Sequence, residues 1–158
     1  MTQISIKRGP VKTVTLVARA AAALVLYAAL GAGAAHAAST DADKVAQSMR
    51  AIWDQPDAPL SVGPIVVVEG YALAGWVQQA RGGRALLVNH DGSWQVHICG
   101  GDGLKDMDAL QMAGIKEATA RRLVQAANEA EEKVPEETRR KFASFGENIM
   151  VDDTHAPR

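Results

Sequence analysis

The chain has a single cysteine among its 158 residues, Cys99, so it has no intramolecular disulfide. It also lacks a cationic excess: 17 Lys and Arg stand against 18 Asp and Glu. That balance argues against the clustered positive surface a nucleic-acid binder needs. The N-terminal apolar run, residues 20–35, is 16 residues long and alanine-rich, short of the roughly 20 needed to span a bilayer. There are no internal repeats. The glycine-rich segment Gly100-Gly101-Asp102-Gly103 has neither the lysine nor the strand–loop–helix spacing of a P-loop, which favours a plain turn. The segment Asp108 to Ile115, followed by Ala120 and Leu123, looks like a helix-hairpin-helix of DNA-binding proteins, but its hairpin, Gly114-Ile115-Lys116, lacks that motif's second glycine.

What is present begins with a leader. Lys7, Arg8, Lys12 and Arg19 precede the short apolar run, which ends in Ala35-His36-Ala37. A positive head, a short apolar middle and a small-x-small end predict a secretory signal peptide over residues 1–37, cleaved after Ala37. Cleavage removes four basic residues and no acidic ones, leaving 13 Lys and Arg against 18 Asp and Glu, a net charge of about −5. No cysteine follows the cleavage site to accept a lipid. The expectation is a periplasmic protein with no stable membrane insertion, folded as one α+β domain over residues 38–158, with residues 152–158 a disordered polar tail.

Thr40 followed by Asp43 is a variant of the capping box, and Val45, Met49, Ile52 and Trp53 make one apolar helical stripe that Pro56 ends. The stripe reads as packing. Four strands are expected next, at Pro64–Glu69, Tyr71–Gln79, Arg84–His90 and Ser93–Cys99, with Arg81 to Arg84 as a turn and Asp91-Gly92 as a type I′ hairpin signal. The first of them is β-branched on both faces, as in a strand covered on two sides or lying centrally. After the glycines the period becomes helical. A short helix is expected over Asp106–Met112, and a long one striped by Ile115, Thr119, Leu123, Ala126, Ala127, Ala130 and Val134, with Glu129 and Lys133 as an i,i+4 pair. A further helix from Pro135 through Phe142 and Phe145 ends at Gly146, and Ile149 to Val151 suit an edge strand. The fold class is therefore α+β: an N-terminal helix, a four-stranded antiparallel meander, and C-terminal helices packed on the sheet.

Chemistry concentrates in Ser93 to Gly103. Strict alternation puts Trp94, Val96 and Ile98 on a core face and Gln95, His97 and Cys99 on the other. Residues i and i+2 of a strand lie roughly 6.5 Å apart and project the same way. A thiolate and an imidazole so placed suit one soft ion such as Cu(I). The expected metal ligands are His97, Cys99 and Asp102, with His90, Met107 and Met112 as alternative third donors. The competing reading is a buried, silent cysteine in a protein-interaction module. A thiol enzyme is not expected, because no orienting acid or nucleophile signature accompanies Cys99.

Three blocks carry a family resemblance: Val66-Val67-Val68-Glu69-Gly70-Tyr71-Ala72-Leu73-Ala74-Gly75-Trp76, Gly82-Gly83-Arg84-Ala85-Leu86-Leu87, and Trp94-Gln95-Val96-His97-Ile98-Cys99-Gly100-Gly101-Asp102-Gly103-Leu104. Ala113-Gly114 and Phe142-Ala143-Ser144-Phe145-Gly146 add to it. Over most of residues 40–150 the chain resembles the copper uptake system-associated proteins, small exported proteobacterial proteins. The resemblance implies a periplasmic accessory of copper acquisition or homeostasis, acting near copper chaperones and outer-membrane receptors.

Overall fold

The computed structural model describes residues 39–151. The expected leader over residues 1–37 and the tail over residues 152–158 lie outside the described residues. Thr40 caps the first helix, α1 (Asp41–Trp53): its hydroxyl accepts from the Asp43 amide at 3.2 Å, and the Asp43 carboxylate accepts from the Thr40 amide at 2.9 Å. The reciprocal pair satisfies two of the donors that a helix start leaves free. Val45, Ala46 and Met49 are buried. Gln78 holds the far end of α1, donating to the carbonyls of Trp53 at 2.7 Å and Ala58 at 2.8 Å.

The strands are β1 (Leu60–Val68), β2 (Tyr71–Gln78), β3 (Arg81–His90), β4 (Ser93–Gly100) and β5 (Ile149–Met150). They form an antiparallel sheet in the order β1-β2-β3-β4-β5. The meander is as expected, and the C-terminal edge strand joins it as a fifth member. The β3–β4 turn has Asp91 and Gly92 both at positive φ, 51° and 89°, as a type I′ hairpin requires. β1 lies at the sheet edge, not centrally, but α1 packs on one of its faces and a C-terminal helix on the other. Its β-branched residues on both faces reflect that double cover.

After β4 the chain makes a 3₁₀ turn at Asp102–Lys105, then α2 (Met107–Met112), α3 (Glu117–Glu131) and α4 (Glu136–Ala143). Asp106 caps α2, accepting from the Ala109 amide at 2.9 Å. The buried stripe of α3 is Thr119, Ala120, Leu123, Ala127 and Glu131. The helix stops short of Lys133, and Glu129 accepts from Gln125 at 2.9 Å in place of the expected Lys133 pair.

The sheet separates two apolar clusters. On one face α1 covers Leu60, Ala72, Ala74, Ala85, Leu87, Trp94 and Val96. On the other, Val68, Leu73, Leu86 and Ile98 pack with Leu104, Leu110, Ile115, Leu123 and Ala127. Each fully buried Leu or Ile contributes about 1.5–3 kcal/mol of transfer free energy, so neither layer is dispensable.

Two further expectations fail here. Arg81 to Arg84 is not a turn but the start of β3, with the turn at Gln79-Ala80, where Gln79 has φ 55°. Glycine at 82 and 83 lets backbone and aromatic neighbours close in: a Cβ at Gly82 would meet Lys141 and the Trp76 carbonyl, and one at Gly83 would meet Phe145 and Trp76. The second failure concerns β4. Leu87 pairs with Val96 and Leu86 pairs with Ile98, so His97 is an extra residue without a partner on β3. This β-bulge resets the alternation. Ile98 turns to the α3 face, and Cys99, opposite Ala85, joins Trp94 and Val96 beneath α1.

Candidate functional site

The bulge places Cys99 in an apolar cavity of about 240 Å³. Met49 and Trp53, one helical turn apart on α1, form part of its wall. Trp76 comes from β2, Cys99 from β4, Phe145 from the segment after α4, and Ile149 from β5 opposite Cys99. The rings of Trp76 and Phe145 meet edge to face, with centroids 5.6 Å apart and an interplanar angle of 78°. No histidine or carboxylate lines the cavity. Gln78 and Arg81 are its polar wall residues. Met49 is 1% exposed and Cys99 partly buried. Burial pushes the Cys99 thiol up to about 11, so it is protonated at neutral pH. The indole N–H of Trp76 is buried with no hydrogen-bond partner among the described residues.

The C-terminal segment completes this wall by passing close to the end of β4. Gly100 and Gly101 allow the approach: a Cβ on Gly101 would collide with the carbonyl oxygens of Ala143 and Phe145, and one on Gly100 with the Asn148 side chain. β5 then pairs with Ile98 and Cys99, and the Val151 amide donates to the His97 carbonyl at 2.9 Å. The glycines that the sequence presents as a loop are thus the passage for a crossing chain.

The three expected ligands do not share one environment. Cys99 lines the cavity, whereas His97 is the bulge residue and does not line it. Asp102 sits in the 3₁₀ turn, where its carboxylate accepts from Arg84 Nη1 at 3.0 Å. Arg84 is 1% exposed and makes a two-point contact with Glu131, Nε to Oε1 at 2.6 Å and Nη2 to Oε2 at 2.8 Å. Lys105 Nζ adds a 2.9 Å contact to Glu131 Oε2, and the Arg84 guanidinium lies 5.7 Å from the Phe142 ring centroid. Burial works to raise the Glu131 carboxyl, but hydrogen bonds from Arg84 and Lys105 outweigh it and hold the group below its ordinary value. Asp102 therefore belongs to an ion cluster between the sheet and α3. His90 is at the opposite end of the β3–β4 hairpin from Cys99. Met107 packs against the α3-side cluster, and Met112 is 83% exposed on α2. Among the described residues, no three His, Cys, Asp or Glu side chains form a group that could hold a metal ion.

Sequence reasoning did not connect Met49, Trp53, Trp76 and Phe145 with Cys99. The spacing of Met49 and Trp53 was visible, but strict alternation along β4 sent Cys99 to the wrong side of the sheet. Among the described residues no helix is long and apolar enough to cross a membrane. No protein-family model, curated protein or solved structure matches the chain.

Proposed function

We propose that this chain is a periplasmic accessory protein of copper uptake or homeostasis, exported through a cleaved leader and acting by binding and not by catalysis. Its partner would be a copper chaperone or an outer-membrane receptor. The resemblance carried by the His97–Leu104 block and the two upstream blocks supports the copper part of this reading. One structural observation supports the binding part: the lone thiol faces an apolar cavity with no carboxylate or imidazole in its wall. A thiol nucleophile needs a neighbouring base or a depressed pKa, and Cys99 has the reverse. Of the three ligands expected for Cu(I), Cys99 lines this cavity, whereas His97 does not and Asp102 is held by Arg84.

The burial of Cys99 also favours a second reading, a periplasmic interaction module whose cysteine is silent and which holds no metal. Deletion of the gene, with cell-associated copper measured under copper limitation, tests the first. A changed copper content, restored by the wild-type chain, is the expected result, and an unchanged content would sink the copper reading. Full restoration by Cys99→Ser would favour the second. Thiol labelling of the native protein at neutral pH should be slow and become fast in denaturant. Labelling at the unfolded rate in the native state would remove the argument from burial.

A further inference from the structure

The wall of the α1-side cavity changes character with depth. Met49 and Leu60 are buried in it, 1% and 5% exposed, whereas Arg81 and Ile149 are exposed. Trp53, Trp76 and Phe145, all half-buried, bring three aromatic side chains to the same wall. We propose that this cavity binds a small aromatic monocarboxylate, its ring against the apolar wall and its carboxylate on the Arg81 guanidinium. Copper has no part in this site, which stands independently of the accessory role.

Charge selects an anion. Arg81 takes part in none of the ion pairs among the described residues. No carboxylate lines the cavity to neutralise it. A guanidinium offers a carboxylate two parallel N–H donors, whereas a cationic ligand would meet only repulsion. Gln78, the other polar wall residue, already donates to the Trp53 and Ala58 carbonyls at 2.7 and 2.8 Å, so Arg81 is the one charged donor that the wall offers. A phosphate or a dicarboxylate would leave a second negative charge against apolar surface with nothing to pair it. Volume sets the size of the apolar part. An apolar cavity of about 150 Å³ takes up benzene. The 240 Å³ here has room for a ring and a short alkyl chain. A ring gains edge and face contacts with the three aromatic side chains that an alkyl chain of equal size lacks, and it freezes fewer bonds on binding.

The fold sets this wall before any ligand arrives. Arg81 opens β3 opposite Gln78, and the Gln78 hydrogen bonds secure the end of α1 that contains Trp53. Trp76 and Phe145 already meet edge to face. Such positioning lowers the ordering entropy that accompanies binding. Because Arg81 is exposed, its ion pair with the ligand adds modestly, and burial of the ring supplies most of the affinity. The guanidinium and the ligand carboxylate both stay charged between about pH 6 and pH 8, so affinity should be flat over that range.

The test is titration of the full chain, purified as the cell produces it, with 4-phenylbutanoate, followed by calorimetry and tryptophan emission. One molecule should bind per chain. 4-Phenylbutylamine should bind at least about tenfold more weakly, and octanoate more weakly than the aromatic acid. Arg81→Gln should weaken 4-phenylbutanoate by at least about threefold and leave the uncharged 4-phenylbutanol unchanged. Arg81 is exposed, so this variant should fold, and thermal melts check that it does. Nuclear Overhauser contacts from the ligand ring to the Met49 methyl group locate the ligand in the wild type, independently of any variant. Equal binding of the amine, unaltered affinity in Arg81→Gln, or absence of the Met49 contact would overturn the site. Wild-type binding weaker than about 1 mM would do so too. Octanoate binding as tightly as 4-phenylbutanoate would overturn the choice of an aromatic ligand. None of these results bears on the copper content of the deletion strain, so the accessory role stands or falls separately.

Discussion

Replacing Glu131 by alanine strands the Arg84 guanidinium in the core. Arg84 is 1% exposed, and two of its hydrogen bonds, at 2.6 and 2.8 Å, end on Glu131. Removing one partner of a buried pair costs about 3–5 kcal/mol, because the remaining charge is neither hydrated nor paired. Asp102 gives only partial relief, being 68% exposed at its side chain. Against a total stability of about 5–15 kcal/mol for an ordinary domain, this loss is large. For a domain of this size it lowers the melting temperature by more than about 10 °C. Asp102→Ala, at the exposed end of the same cluster, should cost no more than about 1 kcal/mol. The double variant Arg84→Met/Glu131→Leu removes both buried charges and should recover most of the loss. Urea unfolding followed by tryptophan emission measures all of these. The depressed Glu131 pKa adds a pH signature: its stabilisation is complete above the unfolded carboxyl's value of about 4.5 and is lost as pH falls through the lower folded value. The acid limb of the wild type should therefore be steeper than that of the double variant. A Glu131→Ala loss below about 1 kcal/mol, or one equal to that of Asp102→Ala, would refute the assignment of Arg84 and Glu131 as a buried, mutually dependent pair.

Two further outcomes test the backbone. Deleting His97 should leave the protein folded, because Val96 then meets Leu87 and Ile98 meets Leu86 in a regular ladder with every side chain on its present face. Deleting Gln95 instead should force Val96 or Trp94 off the α1 face, costing about 3–5 kcal/mol if the tryptophan is lost from the core. Circular dichroism and thermal melts of the two deletions decide it, and equal stability would discard the bulge. Gly101→Ala should destabilise by more than about 2 kcal/mol, since its methyl group meets two backbone carbonyls, while Gly146→Ala enters open space and should change stability by less than about 0.5 kcal/mol.

Much of the architecture could be read directly from residue order. Thr40 and Asp43 announce the start of α1, Asp91-Gly92 marks the β3–β4 turn, and the change of period after the glycines marks the C-terminal helices. These are local signals, made by neighbours within three or four residues, and they survive intact in the structure. Gly82-Gly83 misled because glycine pairs signal turns in isolation, whereas here they make room for residues some 60 positions later in the chain. The partners of Arg84 were likewise invisible: Glu131 is 47 residues away and joins it only when α3 lies across β3.

The candidate site divides along the same line. From its sequence alone the protein has an α+β element order, a hairpin with a defined turn, one unpaired thiol and an apolar helical stripe containing Met49. Each of these follows from composition, period or turn chemistry within a short window. Which side of the sheet receives Cys99, and therefore whether it meets Met49 or Asp102, depends on the bulge at His97. A bulge changes facing by one residue, and its position depends on how β3, α1 and α3 pack against β4 together. Only the tertiary structure places the thiol under α1 and commits Asp102 to Arg84, because both outcomes depend on packing between segments far apart in the chain.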